Sequence, residues 1–213
     1  MTTQSGKRVL IVRHGETAYN LQRRYQGQKD IPLTSRGLAQ ASALAKYLED
    51  EPIHYVFSSD LSRAEDTAWL IAKGKNLTVV ILEELRERTY GAWEGMTFEE
   101  MSDQYPDEVA KWQKRPFSYA PGRGEYFFQV RSRARKAWEI VLGSMSQGQT
   151  AVMVTHGGLM IALFSYLLGI KNEYVFRLKP ANASLSIVVV NHDRPELRLF
   201  NETCFLEDLD TTV

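Results

Sequence analysis

Residues 9–17 read Val-Leu-Ile-Val-Arg-His-Gly-Glu-Thr. The aliphatic, β-branched run predicts a buried strand, and Arg13, His14 and Gly15 then fall in the tight turn at its carboxyl end. Open α/β sheets bind ligands at that edge, where loops project side chains into a crevice. A histidine there can attack phosphorus, a neighbouring guanidinium can hold phosphate oxygens in a fork, and a glycine lets the backbone approach closely. The turn therefore predicts a phosphate site.

Strand and helix patterns alternate along the rest of the chain, which predicts an α/β fold: a three-layer sandwich with a mostly parallel sheet and helices on both faces. The irregular, proline-punctuated segment from about 88 to 126 predicts a small helical cap inserted into a single domain, 1–213. An acidic tail from about 207 to 213 is expected to be flexible. The predicted strands are 9–12, 55–58, 77–82, 149–155, 184–190 and 197–200, and the predicted helices are 34–48, 62–72, 98–104, 107–114, 126–145 and 159–168.

Composition and charge narrow the function classes. The 26 basic residues balance 26 acidic ones, which disfavours a nucleic-acid partner. The basic run 131–135 alternates sides on a predicted helix and is predicted to be a solvated face. The lone Cys204 excludes an intrachain disulfide and a cysteine-cluster metal site. Because 1–7 lacks an apolar signal core and 159–168 is too short to cross a bilayer, we expect a soluble, cytoplasmic protein with no membrane partner.

Three predicted strands end in related residues. The first ends in Arg13-His14-Gly15, the second in Ser58-Ser59-Asp60 with Arg63 in the next helical turn, and a later one in Thr155-His156-Gly157-Gly158. Because the carboxyl ends of parallel strands meet at one edge of a sheet, these residues are expected to lie together. The remaining histidines, His54 and His192, are predicted to be structural.

In these segments the sequence resembles the histidine phosphatase superfamily, in its phosphoglycerate-mutase-like branch, and most of all the phosphatase members. The resemblance spans residues 9 to 190 in the family's order. The matching segments are Val12-Arg13-His14-Gly15-Glu16-Thr17, Asn20, Gln26-Gly27, Pro32-Leu33-Thr34 with Gly37, Ser58-Ser59-Asp60-Leu61 with Arg63-Ala64 and Thr67-Ala68, Leu85-Arg86-Glu87, Tyr90-Gly91 with Trp93-Glu94-Gly95, and Thr155-His156-Gly157-Gly158.

The resemblance implies a role for each central residue. His14 would be the nucleophile, forming a phosphohistidine intermediate. Arg13, Arg63 and His156 would surround the transferring phosphoryl group, whose transition state carries negative charge on its equatorial oxygens. Glu87 matches the family's proton donor, which protonates the leaving alkoxide and then activates water. Taken without the resemblance, Glu87 would equally fit a solvated acidic run.

The expected substrate contacts extend beyond these residues. Asn20 and the backbone at Gln26-Gly27 would supplement phosphate binding, and the Gly157 N–H would add anion-binding capacity at a helix N-terminus. Tyr90 belongs to an aromatic cap that suits either an organic leaving group or a small cap core. Arg115, with Lys114, could meet a carboxylate or a second phosphate, or lie at a solvated helix end. No metal or cofactor is expected, since Arg13, Arg63 and a His156 that could be protonated supply the positive charge.

The reaction itself stays open among three alternatives. Phe98 stands where the mutases of the family generally carry a lysine, and no proline run follows Arg115, which favours a phosphomonoesterase acting on a small organic phosphate ester. A 2,3-bisphosphoglycerate-dependent phosphoglycerate mutase is the alternative, and a non-catalytic phosphate-binding regulator is a third. Because 123–126 departs from the Gly-Gly-Glu-Ser of many relatives, sugar phosphates, phosphoserine, α-ribazole phosphate and phosphoglycerate derivatives all remain candidates. An exposed edge strand would permit a homodimer.

Overall fold

The computed structural model describes residues 6–207 and residue 209. Six strands form one sheet: β1 Lys7–Arg13, β2 Tyr55–Ser58, β3 Val79–Ile81, β4 Thr150–Thr155, β5 Leu185–Asn191 and β6 Arg194–Glu202. Their order across the sheet is β3-β2-β4-β1-β5-β6. The strands from β3 to β1 are parallel, and β5 and β6 are added antiparallel. The predicted α/β fold with a mostly parallel sheet is therefore confirmed.

Helices cover both faces of this sheet. The described part of the chain contains α1 Ala18–Leu21, α2 Ser35–Tyr47, α3 Ser62–Lys73, α4 Phe98–Gln104, α5 Pro106–Lys114, α6 Phe127–Gly143, α7 Gly157–Leu167 and α8 Asn172–Val175. Short 3-10 helices lie at Glu83–Leu85, Gly91–Trp93, Pro121–Arg123 and Cys204–Leu206. Helices α2 and α3 contribute to one apolar cluster, and α6 and α7 to the other. The result is the expected three-layer sandwich.

Strand β1 explains why residues 9–12 are apolar without interruption. Val9 and Ile11 pack in the cluster with α6 and α7, whereas Leu10 and Val12 pack in the cluster with α2 and α3. All four side chains are fully buried. Successive residues of a strand point to opposite faces, so a central strand covered on both sides needs an unbroken apolar run.

The largest boundary difference is at the last strand. The sequence predicts a strand over 197–200, but β6 extends over Arg194–Glu202 and pairs with β5. Two consecutive residues with positive φ, His192 and Asp193, form the tight turn between them. Such turns match the twist of the flanking strands, so the hairpin lengthens β6 past the point where its apolar pattern stops.

The segment between β3 and α6 has a small core of its own. The helices predicted at 98–104 and 107–114 are α4 and α5. Trp93, Met101 and Val109 are buried there, and the partly buried rings around them are Tyr25, Tyr90, Tyr105, Trp112 and Tyr119. Tyr90, Trp93 and Tyr119 therefore build the core of this segment, whereas Phe98, Tyr126 and Phe128 are exposed.

The remaining predictions concern the chain ends and partners. The tail predicted at 207–213 lies, apart from Glu207 and Leu209, outside the described residues. Among the described helices, none combines the length and the hydropathy that a bilayer crossing demands. The homodimer through an edge strand stays a prediction.

Candidate active site

The parallel strands bring the predicted residues to one edge of the sheet. Arg13 pairs in register with Thr155, and the His14 N–H donates to the Thr155 carbonyl at 3.0 Å. The ring centroids of His14 and His156 are consequently 5.0 Å apart. Arg63 reaches the same point from the first turn of α3, where its Nε lies 3.2 Å from His156 Nδ1. Four residues from three strand ends thus form one cluster.

His14 is held with one ring nitrogen available. Its Nδ1 lies 2.6 Å from the carbonyl oxygen of Gly15. Since a carbonyl only accepts, Nδ1 carries the proton and Nε2 keeps its lone pair. Burial, followed by the charges of Arg63 and Arg13, holds the pKa of His14 well below its usual value. The ring is therefore neutral, and Nε2 is nucleophilic near pH 7.

Two arginines flank this ring, Arg63 fully buried and Arg13 partly buried. Arg63 donates from Nη1 to the Lys29 carbonyl and from Nη2 to the Gly27 carbonyl, both at 2.8 Å. Arg13 donates from Nη1 to the Pro180 carbonyl at 2.7 Å, while its Nε is buried without a partner among the described residues.

Neither guanidinium group forms an ion pair within the described part of the chain. Burial lowers the pKa of Arg63 to about 10 and also lowers the pKa of Arg13. No described carboxylate lies within ion-pair distance of either group. A buried charge without a partner is costly, so this cluster is built to receive an anion.

His156 acts as a neutral donor in this arrangement. Its Nδ1 accepts from Arg63, so the proton sits on Nε2, which is buried without a described partner. Burial and the neighbouring Arg63 charge lower the pKa of His156 well below its usual value. The geometry thus favours a neutral ring with a free Nε2–H over the protonated His156 that the sequence left open.

Glu87 is fixed by backbone donors. Its Oε1 accepts from the Arg88 N–H at 2.7 Å and its Oε2 from the Gly158 N–H at 3.0 Å. A Cβ at Gly158 would overlap the carboxylate, so the glycine is needed for this approach. The charge of Glu87 opposes the fall in the pKa of both Arg13 and Arg63, which places the carboxylate beside the anion site.

The glycine at the start of α7 also lies close to the cluster. Gly157 is the first residue of that helix, and its N–H has no hydrogen-bond partner among the described residues. A Cβ there would lie 3.5 Å from Arg13 Nε. The free N–H group at a helix N-terminus is therefore available to an anion held by Arg13.

The remaining loop candidates form a supporting network. Asn20 Oδ1 accepts from the Thr17 N–H, and Gln26 Oε1 accepts from the Thr17 hydroxyl. Gly27 has a φ of +54° and presents its carbonyl to Arg63. The structure thus brings Asn20, Gln26 and Gly27 to the cluster chiefly as scaffolding for it.

Sequence reasoning missed Asn182. Its Nδ2 lies within 3.3 Å of the carbonyls of His14 and Gly15 and 3.1 Å from Asn20 Oδ1. The start of β5 pairs antiparallel with the end of β1, so a polar residue just before β5 must lie near the His14 turn. That topology, and not any local motif, was the available signal.

A cavity of about 440 Å³ opens next to Glu87. Tyr90, which the sequence offers as a substrate contact or a cap-core residue, lines it, and burial raises the pKa of its phenol, which therefore stays protonated. Gly158 connects the cavity to the Glu87 carboxylate. Further aromatic walls come from Tyr25, Trp112, Phe127 and Phe176.

The cationic side chains that line this cavity do not include the predicted Arg115. Arg115 is exposed at the end of α5 and is not part of the wall. Arg88 and Lys179 occupy the wall instead. Arg88 is 2% exposed and donates only to the carbonyls of Glu125 and Tyr119, and burial lowers its pKa. Lys179 is exposed and forms no salt bridge with a described residue.

The basic run 131–135 is not uniformly a solvated face. Arg135 is exposed and pairs with Glu139, as predicted, but Arg133 is only 18% exposed and points at the Glu87 segment. Its guanidinium donates to the carbonyls of Arg86 and Glu87. The helix presents Arg133 inward because α6 packs against the 3-10 helix that precedes Glu87.

Known proteins match this chain along most of its length. The model of the histidine phosphatase superfamily (branch 1) matches residues 9–203. Phosphoserine phosphatase 1 of Hydrogenobacter thermophilus is 34% identical over 199 residues, covering 93% of this chain and 94% of the relative. A probable phosphoglycerate mutase of Yersinia pestis is 35% identical over 184 residues, covering 84% and 83%. A mycobacterial glucosyl-3-phosphoglycerate phosphatase, solved with VO3, superposes with a TM-score of 0.83 at 32% identity, covering 91% and 98%. The chain therefore belongs to the histidine phosphatase superfamily.

Proposed function

We propose that this protein is a metal-independent phosphomonoesterase that hydrolyses a small organic phosphate through a phosphohistidine on His14. The observation that carries the proposal is the pair of guanidinium groups of Arg13 and Arg63, which form no ion pair with a described carboxylate and lie beside the available Nε2 of His14. A phosphoryl group supplies the missing negative charge. Its equatorial oxygens gain charge in the transition state, so fixed cations stabilise that state preferentially.

In the first step, His14 Nε2 forms a bond to phosphorus as the ester P–O bond breaks. Protonated Glu87 gives its proton to the departing alkoxide, because an alkoxide is a poor leaving group. The Nε2–H of His156 and the two arginines hold the phosphoryl oxygens. The product alcohol then leaves.

In the second step, the Glu87 carboxylate takes a proton from water, and the oxygen of that water attacks phosphorus. The P–N bond breaks, its electron pair returns to His14 Nε2, and inorganic phosphate is released. Glu87 is again protonated, and the cycle is closed. The positive charge on this path belongs to arginine, so we expect no metal requirement.

The cavity beside Glu87 supports an anionic organic leaving group. Arg88 is a buried cation at this wall, and Lys179 is a second, exposed cation there. Within the described part of the chain, neither Arg88 Nη1 nor the Lys179 ammonium has a hydrogen-bond or ion-pair partner. Aromatic rings cover the rest of the wall and suit the carbon skeleton. Phosphoserine and phosphoglycerates, which appear in the names of relatives, both carry a carboxylate of this kind.

A rapid-quench experiment with ³²P-labelled 4-nitrophenyl phosphate tests the proposal, with a quench that contains no acid because phosphohistidine is acid-labile. The wild type, in excess chelator, should release phosphate from 4-nitrophenyl phosphate and show a transient acid-labile protein phosphate. His14→Ala should abolish both. Activity retained in His14→Ala, or a phosphate burst that needs added metal, would overturn the proposal.

A mutase remains the second candidate because of the Yersinia relative. Such an enzyme keeps its phosphohistidine until a phosphoglycerate returns. Priming with 2,3-bisphosphoglycerate should then stimulate interconversion of 2- and 3-phosphoglycerate above the rate of phosphate release. No stimulation excludes the mutase, and phosphate binding with no turnover in any assay would point to a regulator.

A further inference from the structure

Arg133 binds the backbone that carries Glu87. Its Nη1 donates to the carbonyls of Glu84, at 3.0 Å, and Arg86, and its Nη2 donates to the Glu87 carbonyl at 3.2 Å. One guanidinium thus contacts three carbonyls within four residues. The side chain comes from the second turn of α6, 46 residues further along the chain.

Glu125 holds the same guanidinium from the other side. Its Oε2 accepts from Arg133 Nη2 at 2.8 Å, and its Oε1 accepts from Arg133 Nε at 3.1 Å. The pair is bidentate, and each side chain is only 18% exposed. This geometry is the rigid form of an arginine–carboxylate pair.

The pair also fixes the residues that follow Glu87. Glu125 Oε2 accepts from the Thr89 N–H at 3.0 Å, and the Glu125 N–H donates to the Thr89 carbonyl at 3.0 Å. The Glu125 carbonyl accepts from the Arg88 guanidinium. The backbone is therefore held on both sides of Glu87, from Glu84 to Thr89.

We infer that Arg133, locked by Glu125, is a positioning residue that orients the Glu87 carboxylate toward the leaving oxygen. The inference rests on the proposed role of Glu87 as the general acid. One of the two donors that fix the Glu87 carboxylate is the Arg88 N–H, which lies within the held segment. A shift of this segment therefore moves the carboxylate relative to the cluster formed by His14 and Arg63.

This role has a specific kinetic signature. A misplaced Glu87 slows the two steps in which it transfers a proton, but only the first of them depends on the leaving group. A misplacement of about 1 Å can cost on the order of 100-fold. A leaving group that is stable as an anion does not need the proton. Loss of Arg133 should therefore damage the cleavage of alkyl phosphates much more than the cleavage of activated aryl phosphates.

The experiment compares kcat/KM for 3-phosphoglycerate and for 4-nitrophenyl phosphate, because kcat/KM reports the first cleavage step. Arg133→Met keeps the aliphatic stem and removes the donors. We expect a loss on the order of 100-fold with the alkyl phosphate and of at most a few-fold with the aryl phosphate. Arg133→Lys, which retains a donor, should recover part of the loss. Arg135→Met is the matched control on the same helix and should change neither value, because this arginine pairs with exposed Glu139 and lies over the Tyr166 ring, neither of which belongs to the segment from Glu84 to Thr89.

Glu125→Gln provides a second variant if Arg133→Met does not fold, and Glu87→Gln tests the underlying assignment. Equal losses on both substrates in Arg133→Met or Glu125→Gln would mean a merely structural pair and would overturn the inference. If Glu87→Gln loses more kcat/KM with the alkyl phosphate than with the aryl phosphate but Arg133→Met does not, the inference is overturned and the proposed function stands. A Glu87→Gln enzyme with no such dependence would overturn the acid role, and the inference with it.

Discussion

The Nε of Arg63 donates a hydrogen bond of 3.2 Å to the Nδ1 of His156, so a fully buried guanidinium determines which nitrogen of that histidine carries the proton. The consequence is a free Nε2–H on His156 at the anion site. One Nη1 donor and one Nη2 donor of Arg63 go to the carbonyls of Lys29 and Gly27, and the second N–H of each nitrogen is left for an anion. One arginine therefore supplies charge, orients a histidine and fixes a loop.

Replacing Arg63 by lysine should keep the charge but remove the orientation of His156 and the fixation of the loop. A lysine ammonium cannot reproduce the planar fork that reaches two carbonyls and an imidazole together. We expect kcat to fall on the order of 10²- to 10³-fold, the range seen when one donor to a charged transition state is lost. Steady-state turnover of 4-nitrophenyl phosphate measures the effect, and Arg115→Lys, at the exposed end of α5, is the control. A loss below about threefold would show that charge alone suffices there.

The two buried histidines should make the fold sensitive to mild acid. Their pKa values lie well below that of an unfolded histidine, about 6.5, chiefly because of burial. Around and below pH 6.5 the unfolded chain therefore binds protons that the folded chain does not, so this contribution to stability is complete above pH 6.5 and is lost as the pH falls below it. Urea unfolding at pH 7.5 and 5.5 should show a larger drop in the wild type than in His14→Gln/His156→Gln. Parallel drops would contradict the buried, neutral state of the two rings.

Much of the site followed from sequence because its geometry follows from strand order. Arg13, His14 and His156 end adjacent parallel strands, so their proximity was implied by the prediction of strands at 9–12 and 149–155. Glu87 is different: it follows a short edge strand within an acidic run, and only the family resemblance singled it out. Only the fold shows that the Glu87 carboxylate accepts a hydrogen bond from the Gly158 N–H.

The residues that escaped prediction depend on contacts between distant segments. Arg133 belongs to the basic run 131–135 that is predicted to be a solvated helix face, and only the packing of α6 on the Glu87 segment shows that it points inward. The choice of Arg88 over Arg115 as the cavity cation depends on how α5 ends and where the Glu87 backbone turns. Asn182 contacts the His14 turn across 168 positions. A linear pattern contains none of this information.

Gly27 should tolerate no side chain, for two reasons. Its φ is +54°, a region that costs other residues about 1–2 kcal/mol, and an added Cβ would overlap the Glu94 carboxylate. That carboxylate holds the N–H groups of Gln28 and Tyr90, so its displacement also disturbs the cavity wall.

Gly27→Ala should therefore lower both the free energy of unfolding, by at least about 1–2 kcal/mol, and the turnover rate, because the Gly27 carbonyl holds Arg63. Gly143→Ala is the matched control, since an added Cβ at that helix end meets nothing within 4 Å. Its stability should stay level or rise by up to about 1 kcal/mol. Chemical denaturation and 4-nitrophenyl phosphate turnover measure both variants. A Gly27→Ala enzyme as stable and active as Gly143→Ala would refute the strain argument.

The charge of the leaving group should be recognised by Arg88 and Lys179. 3-Phosphoglycerate and glycerol 3-phosphate share a three-carbon skeleton and differ in whether the leaving group carries a carboxylate, so the ratio of their kcat/KM values isolates this recognition. A buried charge-assisted hydrogen bond contributes about 1.5–3 kcal/mol, so Arg88→Gln should reduce the ratio about 10- to 150-fold. Lys179 is exposed, so Lys179→Gln should reduce the ratio by at most about fivefold, and less at high salt. Arg115→Gln should leave it unchanged, because that side chain lies outside the cavity wall. Equal kcat/KM values for the two esters in the wild type would show that this cavity does not recognise the charge of the leaving group. Equal losses with both esters in Arg88→Gln would show the same.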